Sequence, residues 1–368
     1  MPGEIPAISK DRALASGLSP SAGQGMSRMP DSRLLQVEEL SKRFSLKHGL
    51  FTRSGPSLTA IDRVSLNIDK GQVYGLVGES GSGKSTLGRA ILQLVKPDSG
   101  RVLFQERDLC TAGREVMRRT RQKIQIIFQD PLSALSPRRT VLQSLMEPLD
   151  QFGLGERSGR RERCEQVLET VGLDASVLDR VPRQLSSGQR QRVCIARAVL
   201  TDPDLIIADE AVSALDVSVQ AQVLELIRNL QSRHGIAFMF ITHDLAVIPQ
   251  VADHVGVMYR GRIVESARVE SLFDTPSHPY TRQLLAAIPD PDPQAAMTPI
   301  QLDAGISREP RSTGCAFADR CPDAVAVCAT DEPQDARLES GDAHHVKCHL
   351  YSNDRAGNNG NGRQTSSS

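Results

Sequence analysis

Residues 78 to 86 read GESGSGKST, a spacing of glycine, lysine and hydroxyl residues suited to holding a chain of phosphates. Gly78, Gly81 and Gly83 let the backbone curl until its N–H groups face an anion. A helix starting near Lys84 would add the positive end of its dipole. Lys84 is expected to reach β- and γ-phosphates and Ser85 to bind Mg²⁺, with Ser80, Ser82 and Thr86 completing the cradle. The plainer reading is a glycine-rich turn matching the pattern by chance. It is disfavoured by the apolar run YGLV directly before the loop and the helical pattern after it.

A second string, LIIADE at 205–210, is an apolar run ending in two carboxylates. Asp209 would hold Mg²⁺, directly or through water, and Glu210 would polarise an attacking water. Strands often end in Asp, so this string gains weight only from a third, LSSGQRQR at 185–192, which precedes it.

These strings, in this order, resemble the nucleotide-binding subunit of an ABC transporter, over about residues 34 to 350. The resemblance implies an α/β, P-loop NTPase core with an inserted helical subdomain and a small Cys-rich C-terminal extension. It also implies ATP and Mg²⁺ as cofactors. Ser186, Ser187, Gly188 and Gln189 match the signature motif that covers a second subunit's ATP, with Ser187 standing where the family usually has glycine. Gln129, in IIFQDP, resembles the glutamine that touches Mg²⁺ and the attacking water. Asp216, in SALD, resembles the aspartate at the dimer seam, and His243, in FITHDL, the switch histidine on the γ-phosphate. Phe44, in SKRF, resembles the aromatic that stacks on adenine, although a strand aromatic is more often core.

Longer strings are similar to the oligopeptide, dipeptide and nickel importer branch: QDPLSALSPRRTV, DEAVSALDVSVQAQVL, HPYTRQLLAAIPDPDP and GCAFADRCP. SLKHGLFTRSG before TAIDRVSLNI resembles the second of the two ATPases such systems encode, while Ala211 replaces the branch's common proline. The resemblance implies two permease subunits and a homologous second ATPase, in a hetero- or homodimer. It implies a periplasmic or extracellular solute-binding protein as an indirect partner, and a peripheral place on the cytoplasmic face of the inner membrane. Two rivals are a soluble ABC ATPase acting on ribosomes or DNA, and an exporter motor. The first carries two cassettes or a long coiled coil and the second a fused membrane domain, and none of these features is read here.

The elements that must position these residues are visible as short apolar runs: VYGLV, IQIIF, LIIA, AFMFIT and VGVMY. Runs apolar on both faces fit strands of a buried parallel sheet. The stretch from about 131 to 183 is helical in pattern and reads as a subdomain inserted into the sheet domain. The expected organisation is a disordered leader (1–32), a nucleotide-binding domain (33–290), a cysteine-containing extension (291–351) and a disordered tail (352–368). Met26 or Met29 are alternative starts.

Lys plus Arg equals Asp plus Glu at 44 each, so no bulk positive charge draws the chain to nucleic acid. Trp is absent and aromatics are 4% of residues, which argues against stacking platforms for single strands. No apolar stretch approaches the ~18 residues of a membrane span, and the N-terminus does not read as a secretory signal.

Four of the seven cysteines, Cys315, Cys321, Cys328 and Cys348, cluster near the C-terminus with the spacing C-x₅-C-x₆-C-x₁₉-C. In a reducing cytosol four thiolates suit a 4Fe–4S cluster, and the family resemblance supports it. Zinc is the alternative, because His344, His345 and His349 flank the last cysteine. Four unliganded thiols is the plainest reading.

Overall fold

The computed structural model describes residues 32–45, 57–288, 313–338 and 344–351. The expected leader and tail, the proline-rich linker and the string SLKHGLFTRSG beyond Ser45 lie outside the described residues.

Two long strands open the chain, β1 (Arg33–Ser45) and β2 (Ser57–Asp69), and pair antiparallel. With β4 (Ser99–Phe104) and β5 (Arg107–Asp108) they form a four-stranded antiparallel sheet in the order β2-β1-β4-β5. β2 alternates buried Val64, Leu66 and Ile68 with outward polar side chains, which is the period of a strand covered on one face. Glu39 and Arg63 adopt positive φ at 45° and 49°, in the part of the pair where the register shifts.

The second sheet contains the five runs read from sequence. β3 (Val73–Val77), β6 (Ile124–Ile127), β7 (Leu205–Asp209), β8 (Ala237–Thr242) and β9 (His254–Tyr259) are all parallel. β10 (Arg262–Arg268) turns back against β9. Two short strands from the C-terminal segment, β11 (Asp335–Arg337) and β12 (His345–Lys347), extend the sheet to the order β11-β12-β10-β9-β3-β8-β7-β6.

Every residue of β3, β7 and β8 is buried, because both faces are covered. Alternate residues go to different cores. Val73, Val77, Ile206, Phe238 and Phe240 join the core that also holds the helices α4 (Val141–Phe152), α5 (Arg160–Thr170), α6 (Ser187–Val199) and α7 (Val217–His234). Tyr74, Leu76, Ile207, Met239 and Ile241 join the core shared with α1 (Lys84–Ile91) and the antiparallel sheet. Each fully buried Leu, Ile or Phe contributes about 1.5–3 kcal/mol, so the parallel strands form a rigid floor for what stands at their ends.

Between β6 and β7 the described chain is helical. α3 (Pro131–Ala134) is N-capped by Asp130, and α4 by a Thr140–Gln143 capping box, with Gly153 closing it at φ 68°. α2 (Arg114–Lys123) precedes β6. α8 (Ile248–Val251) lies between β8 and β9, and α9 (Val269–Asp274) and α10 (Pro279–Ala286) follow β10. Among the described residues no helix is long and apolar enough to cross a membrane.

Candidate ATP site

Strands β3, β8, β7 and β6 are neighbours and parallel, so their C-terminal ends meet on one side of the sheet. An open parallel sheet binds its ligand at that side. From those ends emerge residues 78–83, His243, Asp209 with Glu210, and Gln129.

The loop after β3 depends on glycine. Gly78 has φ 151°, and a Cβ there would stand 2.1 Å from the Met258 carbonyl oxygen. Gly83 has φ 109° with the Ala60 carbonyl oxygen equally close. No L side chain fits either place. Lys84, 4% exposed, folds back on this loop and donates to the carbonyls of Gly78 at 2.7 Å and Glu79 at 2.9 Å. Burial lowers its ammonium from the usual lysine range, opposed by the carboxylates of Glu210, Asp209 and Glu79. Ser82 is buried within reach of Lys84, Ser80 and Gly81 are exposed, and Thr86 lies in the first turn of α1.

Ser85 Oγ donates to Asp209 Oδ1 at 2.7 Å. Asp209 is 2% exposed, and burial raises its carboxyl against the Ser85 hydrogen bond and the charge of Arg89, whose guanidinium lies 3.9 Å away. Two hard oxygens side by side are the donor chemistry that Mg²⁺ takes. Glu210 has φ 48°, a left-handed backbone costing about 1–2 kcal/mol for a residue with a Cβ. Its N–H donates to the Ile241 carbonyl at 3.0 Å, and its own carbonyl accepts from the Ser213 N–H and hydroxyl. These bonds aim the side chain. One carboxylate oxygen accepts from Gln129 Nε2 at 2.7 Å, and the other lies 3.3 Å from His243 Nδ1.

The structure thus brings together Lys84 with its loop, Ser85 with Asp209, and Gln129 and His243 with Glu210. Other expected residues stand apart. Ser186 caps α6 by accepting from Gln189 N–H at 3.2 Å, while the Gln189 side chain accepts from Ser186 N–H at 3.0 Å. Gly188 packs on Val219 of α7, which a Cβ would approach to 2.6 Å. Ser187 shares a surface cavity with Gln129, Leu132, Ala211 and Leu215. Among the described residues no hydrogen bond joins 186–189 to 78–86. Asp216 is the N-cap residue of α7 without a side-chain cap bond. Phe44 is no core residue: it is 37% exposed near the end of β1, with Lys42 Nζ 5.6 Å from its ring centre.

The iron–sulfur expectation is not supported. Among the described residues no group of three or more His, Cys, Asp or Glu side chains is set to hold a metal. The four thiols are near enough to affect one another: burial chiefly, with neighbouring thiolates adding, raises Cys315 and Cys321 and pushes Cys348 up to about 11. Each histidine of the zinc alternative has one ring nitrogen engaged elsewhere, although His344 Nδ1 is buried without a hydrogen-bond partner among the described residues. His344 Nε2 meets Glu265 at 2.8 Å, His345 Nδ1 meets Asp335 at 3.2 Å, and His349 Nε2 meets the Asp331 carbonyl at 2.9 Å.

Residues that sequence reasoning did not single out also reach this site. Tyr280 Oη accepts the N–H of Glu79, and Arg320 grips the Glu79 carboxylate. Both lie in strings that carried only a family likeness, with no residue spacing to signal the contact.

A phosphate-binding loop, a buried Ser–Asp pair and a carboxylate between Gln and His, on one side of a parallel sheet, define an ABC-type ATPase. A family model described as ABC transporter matches residues 61–213, and one described as Oligopeptide/dipeptide transporter, C-terminal region, matches 264–328. The chain is 47% identical over 322 residues to a putative peptide import ATP-binding protein of Brucella ovis, covering 87% of this chain and 98% of the relative. It is 41% identical to the oligopeptide transport ATP-binding protein AppF of Bacillus subtilis, with the same coverage. Among solved structures, the dimeric structure of the bacterial ABC transporter cassette MJ0796 matches with a TM-score of 0.57 and 28% identity, covering 64% of this chain and 99% of that one. The chain belongs to the ATP-binding subunits of ABC transporters, in the oligopeptide/dipeptide branch. It is the ATPase subunit of an importer, and the ribosome- or DNA-acting alternative has no support.

Proposed function

We propose that this chain binds ATP and Mg²⁺ on residues 78–86 and couples hydrolysis to the uptake of peptides or a related small solute through separate permease subunits. The observation that carries the reading is the convergence of Gln129, Glu210 and His243 beside the Lys84 loop and the Ser85–Asp209 pair. In this reading Gly78, Gly81 and Gly83 open the backbone to the phosphates. Lys84 swings from its carbonyls to the β- and γ-oxygens. Ser85, Asp209 and Gln129 hold the cation. Glu210 accepts the proton of the attacking water, and His243 contacts the γ-phosphate and orients Glu210. Phe44 offers its exposed face to adenine.

Ser186, Ser187, Gly188 and Gln189, at the start of a 13-residue helix and unbonded to their own loop, serve the nucleotide of a second ATPase subunit, with Asp216 at the seam. That subunit is a homologue or a second copy. Two permeases dock on the helical subdomain at about 131–183, a solute-binding protein acts indirectly, and the assembly sits on the cytoplasmic face of the membrane. No nucleic acid takes part. In this reading the cassette spans 33–290 and the cysteine-containing extension 291–351.

The test is ATP hydrolysis by the purified chain alone and with its permeases and second ATPase. Slow turnover alone and faster turnover in the assembly is expected. Permease crosslinks that fall mainly outside 129–183 would contradict the docking site. The four cysteines carry a smaller proposal, that Cys315, Cys321, Cys328 and Cys348 close on a 4Fe–4S cluster. Its support is the donor chemistry: thiolate sulfur is what such a cluster takes, and a bound cation would offset the burial, and secondarily the neighbouring thiols, that raise Cys315, Cys321 and Cys348. Anaerobic purification decides between a brown protein with about four irons per chain, as the cluster requires, and a colourless one that ends the idea.

A further inference from the structure

Glu79 is the acidic residue within the string 78–86, and it is held on three sides. Its N–H donates to Tyr280 Oη at 3.0 Å, and its carbonyl accepts from Lys84 Nζ at 2.9 Å. Its carboxylate receives a two-pronged contact from Arg320, Nη1 to Oε2 at 3.0 Å and Nη2 to Oε1 at 2.9 Å. Arg320 comes from the cysteine-containing segment, one residue before Cys321 and five after Cys315.

The guanidinium is not a loose surface charge. It lies 5.7 Å from the ring centre of Tyr259 and 5.6 Å from that of Phe317. Phe317 and Tyr280 are themselves buried and in ring contact at 5.4 Å. A planar fork held by aromatic rings loses little freedom when it pairs with a carboxylate. The Glu79 charge is one of those felt by the Lys84 ammonium, so this carboxylate competes for the cation that a triphosphate must recruit.

We propose that Arg320 is a positioning residue for nucleotide binding: it neutralises Glu79 and fixes the backbone on which Lys84 rests, making the cysteine-containing segment a working part of the ATP site. An unpaired Glu79 would repel the incoming polyanion and hold Lys84 back. This inference rests on the reading of residues 78–86 as the ATP-binding loop.

The experiment is equilibrium binding of a fluorescent ATP analogue with Mg²⁺ to the full-length chain. Arg320→Ala is expected to weaken binding about tenfold, the order for unmasking one like charge beside a bound polyanion. Arg320→Lys, which keeps the charge and loses the fork, should weaken it about threefold. In a Glu79→Gln background, Arg320→Ala should move affinity less than about twofold further, because the charge it masks is gone. In the assembled transporter the Arg320→Ala effect should appear in the KM for ATP rather than in kcat.

Equal losses in both backgrounds, or a lowered Tm with unchanged affinity, would make Arg320 a structural tether only and overturn the proposal. Should Arg320→Ala not fold, Arg320→Lys with and without Glu79→Gln carries the same comparison. Lys84→Ala separates the two readings. If it leaves affinity intact, the loop assignment itself fails. If it removes affinity while Arg320→Ala does not, this inference alone fails.

Discussion

The two oxygens of the Glu210 carboxylate are divided between two partners, Gln129 Nε2 at 2.7 Å and His243 Nδ1 at 3.3 Å. The three residues leave the ends of three adjacent parallel strands, β6, β7 and β8, so the sheet order itself sets the spacing.

If Glu210 accepts the proton of the attacking water, as proposed, Glu210→Gln should leave ATP affinity within about threefold of the native chain. Turnover should fall by about 10²-fold or more. The amide keeps the shape and loses the base, so ATP should accumulate on a closed dimer. Hydrolysis near the native rate would remove Glu210 from that role.

Lys84→Ala should act on the earlier step. Two loop carbonyls lose their ammonium donor and the phosphates lose their countercharge. Isothermal titration should find ATP binding weakened by about tenfold or more, with charge-assisted bonds setting the scale. Unchanged affinity would count against the cradle.

Asp209 predicts a pH dependence of cation binding. Burial is the largest influence on its carboxyl and raises it, so the folded chain holds a proton above the ordinary carboxyl range of about 4. Between the unfolded and folded values the proton favours the native state, and in the free chain this contribution fades as pH rises through the folded value. Mg²⁺ needs the carboxylate, so Mg²⁺ affinity should weaken on acidification at a pH where an ordinary aspartate is still ionised. Titrations of Mg²⁺ into the ATP complex at a series of pH values measure this. A profile that Asp209→Asn leaves unaltered would assign the effect to another group.

Glu265 gives the opposite sign. It is 1% exposed on β10, and burial alone would raise it. Its contact with His344 and the N–H groups of Ser277 and His278 outweigh that and hold the carboxyl below its usual range. Its stabilising contribution is complete above the ordinary carboxyl range and is lost as pH falls through the lower folded value. Glu265→Ala should cost about 3–5 kcal/mol, because His344 and two N–H groups are left buried without their acceptor. Urea unfolding checks the magnitude, and a loss under 1 kcal/mol would mean the pocket takes up water.

Much of the site was legible because its chemistry is local. GESGSGKST needs its glycines where φ is positive, and LIIADE is itself a strand, buried on both faces, that ends in its carboxylates. Five of the strands could be read for that second reason, from VYGLV to VGVMY. β1 and β2 were harder, since one-sided burial gives polar alternation interrupted by register shifts at Glu39 and Arg63. The signature residues were legible as a string, yet that no hydrogen bond joins them to the phosphate loop among the described residues is a matter of where α6 lies. The grip of Arg320 on Glu79 spans 241 residues, and no periodicity or spacing encodes such a pair. The cysteine spacing invited a metal, but thiol count does not fix distances, and the flanking histidines already had partners.

β12 hydrogen-bonds along β10 through Glu265–Val346 and Ser266–His345, and β11 lies outside it. Those two short strands act as a cover. A form of this chain ended near Ile288 would keep the nucleotide loop and both carboxylates, yet leave a hydrophobic sheet with an open edge offering unpaired N–H and C=O groups to any other extended chain. Shortening the protein to its cassette therefore creates an adhesive margin prone to edge-to-edge aggregation, and the same cut strips buried Glu265 of His344 and the main core of Phe317.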